Sequence, residues 1–298
     1  MYKIYNNSKC NSGNNTTLTR ISKLLNLELT NKICNKIIGI HAFKFGSKVI
    51  NKNIDFILII GGTDINIDIH DEKKLKVIYQ ALDESKFIVC FSDYIKKKIN
   101  YILPNSSNKI IEIAQSVIYE NPSNYNLIND LPFVNKDYLK YFIVVGNIRN
   151  VKDPFYLESV KNILIKKNII IIYIGDILED TINFNYPFIH IGSLKPEDIY
   201  SCYKYANGLL NLSISEGMSG SILEAMLYKC PVYARANEGN LSIITHNYNG
   251  FIFNSPNEFI DCLSINTHNI MENAYNYVID VHNPKIEKEK YNKLLSNP

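Results

Sequence analysis

Two apolar runs, residues 54–60 and 168–175, constrain the fold more than anything else in the chain. Each has the length of a strand and falls well short of the ~20 residues of a membrane span; Gly61 follows the first and Gly175 closes the second. A strand this apolar on both faces belongs at the centre of a parallel sheet with helices on either side. Further strand-like runs occur at 2–5, 37–41, 87–91 and 110–113, giving a five-stranded first half, and again at 141–145 and 208–214. Helical patterns fall between them, as at 72–82 and 94–101, with a helix beginning near Leu18 and others over 195–207, 221–229 and 284–295. This alternation predicts right-handed β-α-β units and a doubly wound α/β architecture.

A length of 298 residues allows two medium domains with a core each, and 46% hydrophobic against 20% charged residues excludes disorder. The polar, Asn- and Pro-bearing stretch 121–138 reads as a linker between a domain over 1–120 and a second over 139–283, with 284–298 as a closing helix. A net charge of +3 with scattered lysines gives no footprint for nucleic acid. The Lys96-Lys97-Lys98 run allows weak contact with an anionic membrane surface, though such runs are usually solvated helix faces. Six cysteines stand far apart without a C-x-x-C pair, which argues for reduced thiols rather than zinc or a redox dithiol. With no basic-then-apolar leader and no apolar run of spanning length, the cytoplasm is the expected compartment. Oligomeric state is left open.

The chemistry concentrates in residues 211–250, a strand, a tight loop Ser215-Glu216-Gly217-Met218-Ser219-Gly220, and a helix from Ser221 to Lys229 stopped by Pro231. In open α/β sheets, ligands sit where strand hands over to helix, and a helix N-terminus suits a phosphate. Glu216 in the loop and Glu224 within the helix would accept from neutral hydroxyls. Phosphate plus vicinal hydroxyls describes a nucleotide sugar, although the spacing alone fits a helix-start acid and a surface acid equally well. Arg149 and Lys152, three residues apart after the strand at 141–145, could clamp a diphosphate as fork and point charge. A Gly13-Asn14 loop after the first strand could approach a phosphate, and His41 and Gly61-Gly62-Thr63-Asp64 also stand at strand ends. A calcium loop from Asp64 fails, because its sixth position is Ile69 and its twelfth Leu75. No Asp-x-Asp occurs anywhere, so no metal is expected.

Ser215-Glu216-Gly217-Met218 through Glu224-Ala225-Met226, then Pro231-Val232 and Asn249-Gly250-Phe251, resembles glycosyltransferase family 4, with its two Glu separated by seven residues. Within that family the resemblance is closest to the glycosyltransferase 1 domain-containing protein 1 group. It implies a GT-B fold, two Rossmann-like doubly wound domains facing across a cleft. It also implies a retaining, metal-independent transfer of a sugar from a nucleotide diphosphate, with UDP favoured, to an unidentified acceptor. Carried over by position, Arg149 and Lys152 would bind the donor diphosphate, Glu224 the ribose hydroxyls and Glu216 the sugar hydroxyls. Backbone at Gly217, Met218 and Ser219 would meet sugar and phosphate, Gly13 would approach the diphosphate from the first domain, and the stretch His190 to Leu194, with Gly192 and Leu194, would frame the base. Relatives often carry His-Gly where this chain has Gly61-Gly62. That departure leaves the general base unassigned, with His41, Thr63 and Asp64 as residues of the acceptor or sugar side. A nucleotide-sugar epimerase of GT-B fold and a non-catalytic nucleotide-sugar-binding protein are the alternatives.

Overall fold

The computed structural model describes residues 1–7, 12–131, 139–179 and 182–296. Cys10 and residues 132–138 of the expected linker lie outside the described residues. By contacts the chain divides into two units: residues 1–116, 215–218 and 282–298 form one, and 117–214 with 219–281 the other.

The first unit contains β1 (Lys3–Tyr5), α1 (Gly13–Leu25), β2 (Leu29–Thr30), β3 (Lys36–Ile40), α2 (Gly46–Val49), β4 (Asp55–Ile59), α3 (Thr63–Asn66), α4 (Glu72–Glu84), β5 (Phe87–Cys90), α5 (Asp93–Ile102) and β6 (Ile110–Glu112). All its strands run parallel, in the order β2-β1-β3-β4-β5-β6. The sheet is therefore six-stranded where the sequence reading has five. The extra strand, β2, is two residues at the sheet edge with Leu29 exposed, too short to leave an alternating pattern.

Strand β4 shows why both faces need cover. Phe56, Leu58 and Ile60 point into a cluster with Val49, Ile78, Ala81, Ile95 and Ile99, from α2, α4 and α5. Ile57 and Ile59 point the other way, against Leu18 and Ile21 of α1. Each such side chain contributes about 1.5–3 kcal/mol on burial. Helix α1 starts earlier than expected, at Gly13 rather than near Leu18. The reason is local: Ser12 is extended, and its Oγ accepts from Asn15 N at 3.2 Å, so a polar stretch becomes a capped first turn instead of a loop.

The second unit contains β7 (Lys140–Val145), α6 (Lys161–Lys166), β8 (Ile169–Ile174), β9 (Phe188–His190), α7 (Pro196–Tyr205), β10 (Gly208–Asn211), α8 (Gly220–Leu227), β11 (Val232–Arg235), α9 (Glu238–Leu241), β12 (Phe251–Phe253), α10 (Pro256–Cys262) and α11 (His268–Val281). Its six strands are also parallel, in the order β12-β11-β10-β7-β8-β9. Every residue of β8 is buried, as a central strand of this kind requires.

Both sheets are thus doubly wound and Rossmann-like. The chain order reverses between β7 and β10 in the second sheet, and between β1 and β3 in the first. Such switch points are where open α/β sheets take ligands.

The last helix, α12 (Pro284–Leu295), belongs to the first unit, where Tyr291 and Leu294 complete the cluster on α1. Its Glu287 is fully buried and pairs with Arg20 while accepting from Ser116 N at 3.1 Å. His282 is also buried, with Nδ1 2.6 Å from the Gln115 carbonyl. No helix among the described residues is long and apolar enough to cross a membrane. The lysine run on α5 does not present one cationic face: Lys97 pairs with Asp93 at 2.6 Å, and Lys98 donates to Asn66 Oδ1 at 2.9 Å.

Candidate active site

In the second unit Arg149 and Lys152 follow β7, and Ser219 and α8 follow β10, the two strands of the switch point. The chain leaves β7 into a 3-10 turn over Asn150–Lys152, with Arg149 as its N-cap. Val151 O accepts from Ile214 N at 2.9 Å, so this turn is tied to the stretch that follows β10. Arg149 is half-buried, and its Nε is buried without a hydrogen-bond partner. Lys152 N closes the turn on Arg149 O at 2.8 Å. The turn ends at Asp153, in the left-handed region (φ 42°) and paired with Arg235 at 2.6 Å. The Arg235 guanidinium also lies 4.1 Å over the Tyr156 ring, which commits that cation to the scaffold.

Ser219 caps α8 in backbone conformation only, because its side chain makes no capping bond. Its Oγ accepts instead from Asn211 Nδ2 at 3.0 Å and meets Ser221 Oγ at 3.1 Å. The first-turn N–H groups of α8 thus receive no capping bond from Ser219, and the positive end of the helix lies behind them. Within α8, Glu224 accepts from the Tyr203 hydroxyl at 3.0 Å through Oε2. Burial is the main cause of a Glu224 carboxyl pushed up to about 7; the Tyr203 bond opposes that rise and Glu120 adds to it. Gly192 and Leu194 lie in the loop after the edge strand β9, where Gly192 N donates to His190 Nε2 at 3.2 Å and Gly192 O accepts from Gly175 N at 2.8 Å.

The remaining predicted residues collect in the first unit. Residues 215–218 pack there rather than with the second unit. Asn66 Nδ2 donates to the Glu216 carbonyl at 3.0 Å, while Asn66 Oδ1 is held by Tyr94 OH and Lys98 Nζ. Gly217 lies back to back with Gly62: a Cβ on either would sit 2.7–2.8 Å from the other's Cα. Gly62 also has φ 109°, so both the contact and the backbone demand glycine. Met218 packs on the α1–α12 side of the sheet. Gly13 is the exposed first residue of α1, and Asn14 beside it stands 3.3 Å from where a side chain at Gly61 would begin.

Two of the residues expected on the acceptor side are engaged within the fold. Asp64 is fully buried, and its carboxylate accepts from four backbone N–H groups: Ala42 at 2.7 Å, Gly61 at 3.1 Å, Gly62 at 2.7 Å and Ile65 at 3.1 Å. Its lone pairs are occupied, so Asp64 braces the 61–65 loop and cannot serve as a base. His41 is only 2% exposed; its Nδ1 accepts from Lys44 N at 3.2 Å, and its Nε2 stands 3.6 Å from Asp68 Oδ2. Burial chiefly lowers its pKa, which favours the neutral ring. Thr63, at the start of α3, is exposed.

Asn66 and Tyr203 were not expected in the site. Asparagine is so frequent in this chain that no single one stands out, and Tyr203 reads as one more aromatic on the core face of a helix. Among the described residues, no group of three or more His, Cys, Asp and Glu side chains could hold a metal ion.

Residues 133–261 match the sequence profile of the family Glycosyl transferases group 1. A Xenopus tropicalis protein, glycosyltransferase 1 domain-containing protein 1, is 29% identical over 278 residues, covering 87% of this chain and 81% of that protein. Anabaena HepE, crystallised with UDP-glucose, superposes with a TM-score of 0.76 at 14% identity over 99% of both chains. TarM superposes with a TM-score of 0.66 at 19% identity, over 88% of this chain. This chain spans about half of TarM's length, 54%.

Proposed function

We infer that this chain, a glycosyltransferase of GT-B fold, takes its sugar from a UDP-sugar and transfers it without a metal ion, retaining the anomeric configuration as family 4 enzymes do. The carrying observation is the convergence of the Arg149–Lys152 turn and the uncapped start of α8 at one switch point of the second sheet. That arrangement supplies fixed positive charge of the kind a departing diphosphate needs. Uridine is favoured because HepE, of the same fold, was crystallised with UDP-glucose.

In this reading the bond from the sugar C1 to the β-phosphate oxygen breaks while negative charge grows on that phosphate. Arg149, Lys152 and the α8 N–H groups stabilise the charge. Glu224 accepts from the ribose hydroxyls, and Glu216 from hydroxyls of the sugar. Neither Asp64 nor His41 can take the acceptor proton. As the family resemblance implies where no base is assigned, the departing phosphate takes that proton while the acceptor oxygen bonds to C1 on the same face, in keeping with retention. The free thiols of Cys34, Cys90, Cys202, Cys230 and Cys262 fit a reducing compartment such as the cytoplasm.

The test is a binding and turnover screen of UDP-, GDP- and ADP-sugars against small hydroxy-acid, thiol and lipid acceptors. Arg149→Ala is expected to lower the rate about a hundredfold or more. An Arg149→Ala protein that binds every donor as tightly as wild type and turns over equally fast would remove the clamp from the mechanism.

A further inference from the structure

Glu224 does not face the ligand side alone. Helix α7 packs against α8, and Tyr203, 1% exposed, directs its hydroxyl onto Oε2 of Glu224 at 3.0 Å. Around this pair stand Tyr200 and Tyr228, stacked at 4.9 Å, with Tyr228 also 6.2 Å from Tyr203. The Tyr228 hydroxyl donates to the Glu120 carbonyl at 2.6 Å, which brings residue 120 against the same group. The titratable neighbours are thus Tyr200 and Tyr203 on α7, Glu120 before it and Tyr228 just beyond α8. Lys229 is turned to Glu272 of α11 at 2.7 Å, so its charge is committed elsewhere. Tyr203 is accordingly the group that favours a charged Glu224.

We propose that Tyr203 is a positioning residue of the donor site: its hydroxyl holds the Glu224 carboxylate in place as an acceptor for the ribose hydroxyls. The proposal rests on the ribose role assigned to Glu224 above. A glutamate has three rotatable side-chain bonds, and an unanchored one loses rotamer freedom each time it grips a diol. The phenol removes that cost in advance and stabilises the form that can accept two hydroxyl donors. Burial pushes the Tyr203 phenol well above its ordinary range, so it remains a donor at every relevant pH.

The experiment is calorimetric titration of UDP-glucose into the full chain from about pH 6 to about pH 9, a range in which its bridging diphosphate, lacking a second phosphate ionisation, does not titrate. Wild type should bind more weakly as pH falls through about 7, where Glu224 takes up a proton. Tyr203→Phe should weaken binding about tenfold at neutral pH and move the midpoint of the pH profile upward. Tyr205→Phe, at the exposed end of the same helix, should change neither. Glu120→Gln, at an exposed position that no folding defect would confound, should move the midpoint downward. A midpoint unmoved in both Tyr203→Phe and Glu120→Gln, with Glu224→Gln still losing affinity, overturns the role of Tyr203 and leaves the donor site standing. A Glu224→Gln protein that binds like wild type overturns the ribose assignment and this proposal with it.

Discussion

Asp64 in the first unit and Glu224 in the second are both withdrawn carboxylates in helices that follow a parallel strand, yet they are satisfied to very different degrees. Asp64 takes four backbone N–H groups and has nothing left for a ligand. Glu224 takes one phenol, and burial lifts it to about 7. The difference separates an acid that builds a loop from one left under-satisfied: the first stabilises the fold, and the second costs stability, as the ribose role proposed for it would require.

The largest test of this contrast is Asp64→Ala, which leaves four N–H groups without their acceptor. We expect a loss of about 4 kcal/mol in urea unfolding; a loss below about 1 kcal/mol would place Asp64 beside Glu224 rather than opposite it. Next is Gly217→Ala, whose new Cβ would lie 2.8 Å from Gly62 Cα and 2.9 Å from Gly61 O. Overpacking there should cost about 2 kcal/mol, measured the same way, and should weaken donor turnover because Glu216 precedes it. An alanine tolerated at both Gly62 and Gly217 would show that the loop is not built on this contact.

The smallest effect on stability is the most diagnostic. The folded-state pKa of Glu224 is raised from 4.5 to about 7, so its stability contribution is complete below pH 4.5 and is lost as pH rises through 7. Glu224→Gln should therefore abolish that slope and make the protein more stable than wild type at pH 8 by about 1–2 kcal/mol, while binding UDP-glucose poorly. Thermal unfolding at pH 5 and pH 8 reads this directly, and a variant less stable than wild type at pH 8 would mean that Glu224 builds as Asp64 does.

Much of the framework was legible in the chain because strand burial leaves a local trace. The runs at 54–60 and 168–175 become β4 and β8, and the helix expected over 284–295 is α12. What escaped detection lacked that trace. Strand β2 is two residues long, and the start of α1 hangs on one serine cap inside a polar run. The site was legible as a set of candidates, and its roles were not. Motif order brought out Glu216, Glu224, Arg149 and Lys152, but nothing along the chain separates a saturated Asp64 from an open one.

Hydrophobic periodicity and the loop–helix motif at 215–224 act over a few residues, so composition and spacing alone were enough to specify two parallel sheets and to single out candidate residues for a site. Only folding decided which polar groups meet. Tyr203 reaches Glu224 from 21 residues away, Asn66 reaches Glu216 from 150, and Arg20 reaches Glu287 from 267. A buried carboxylate's chemistry depends on the donors around it, and those partners are assembled by packing across distant segments, beyond the reach of any local pattern.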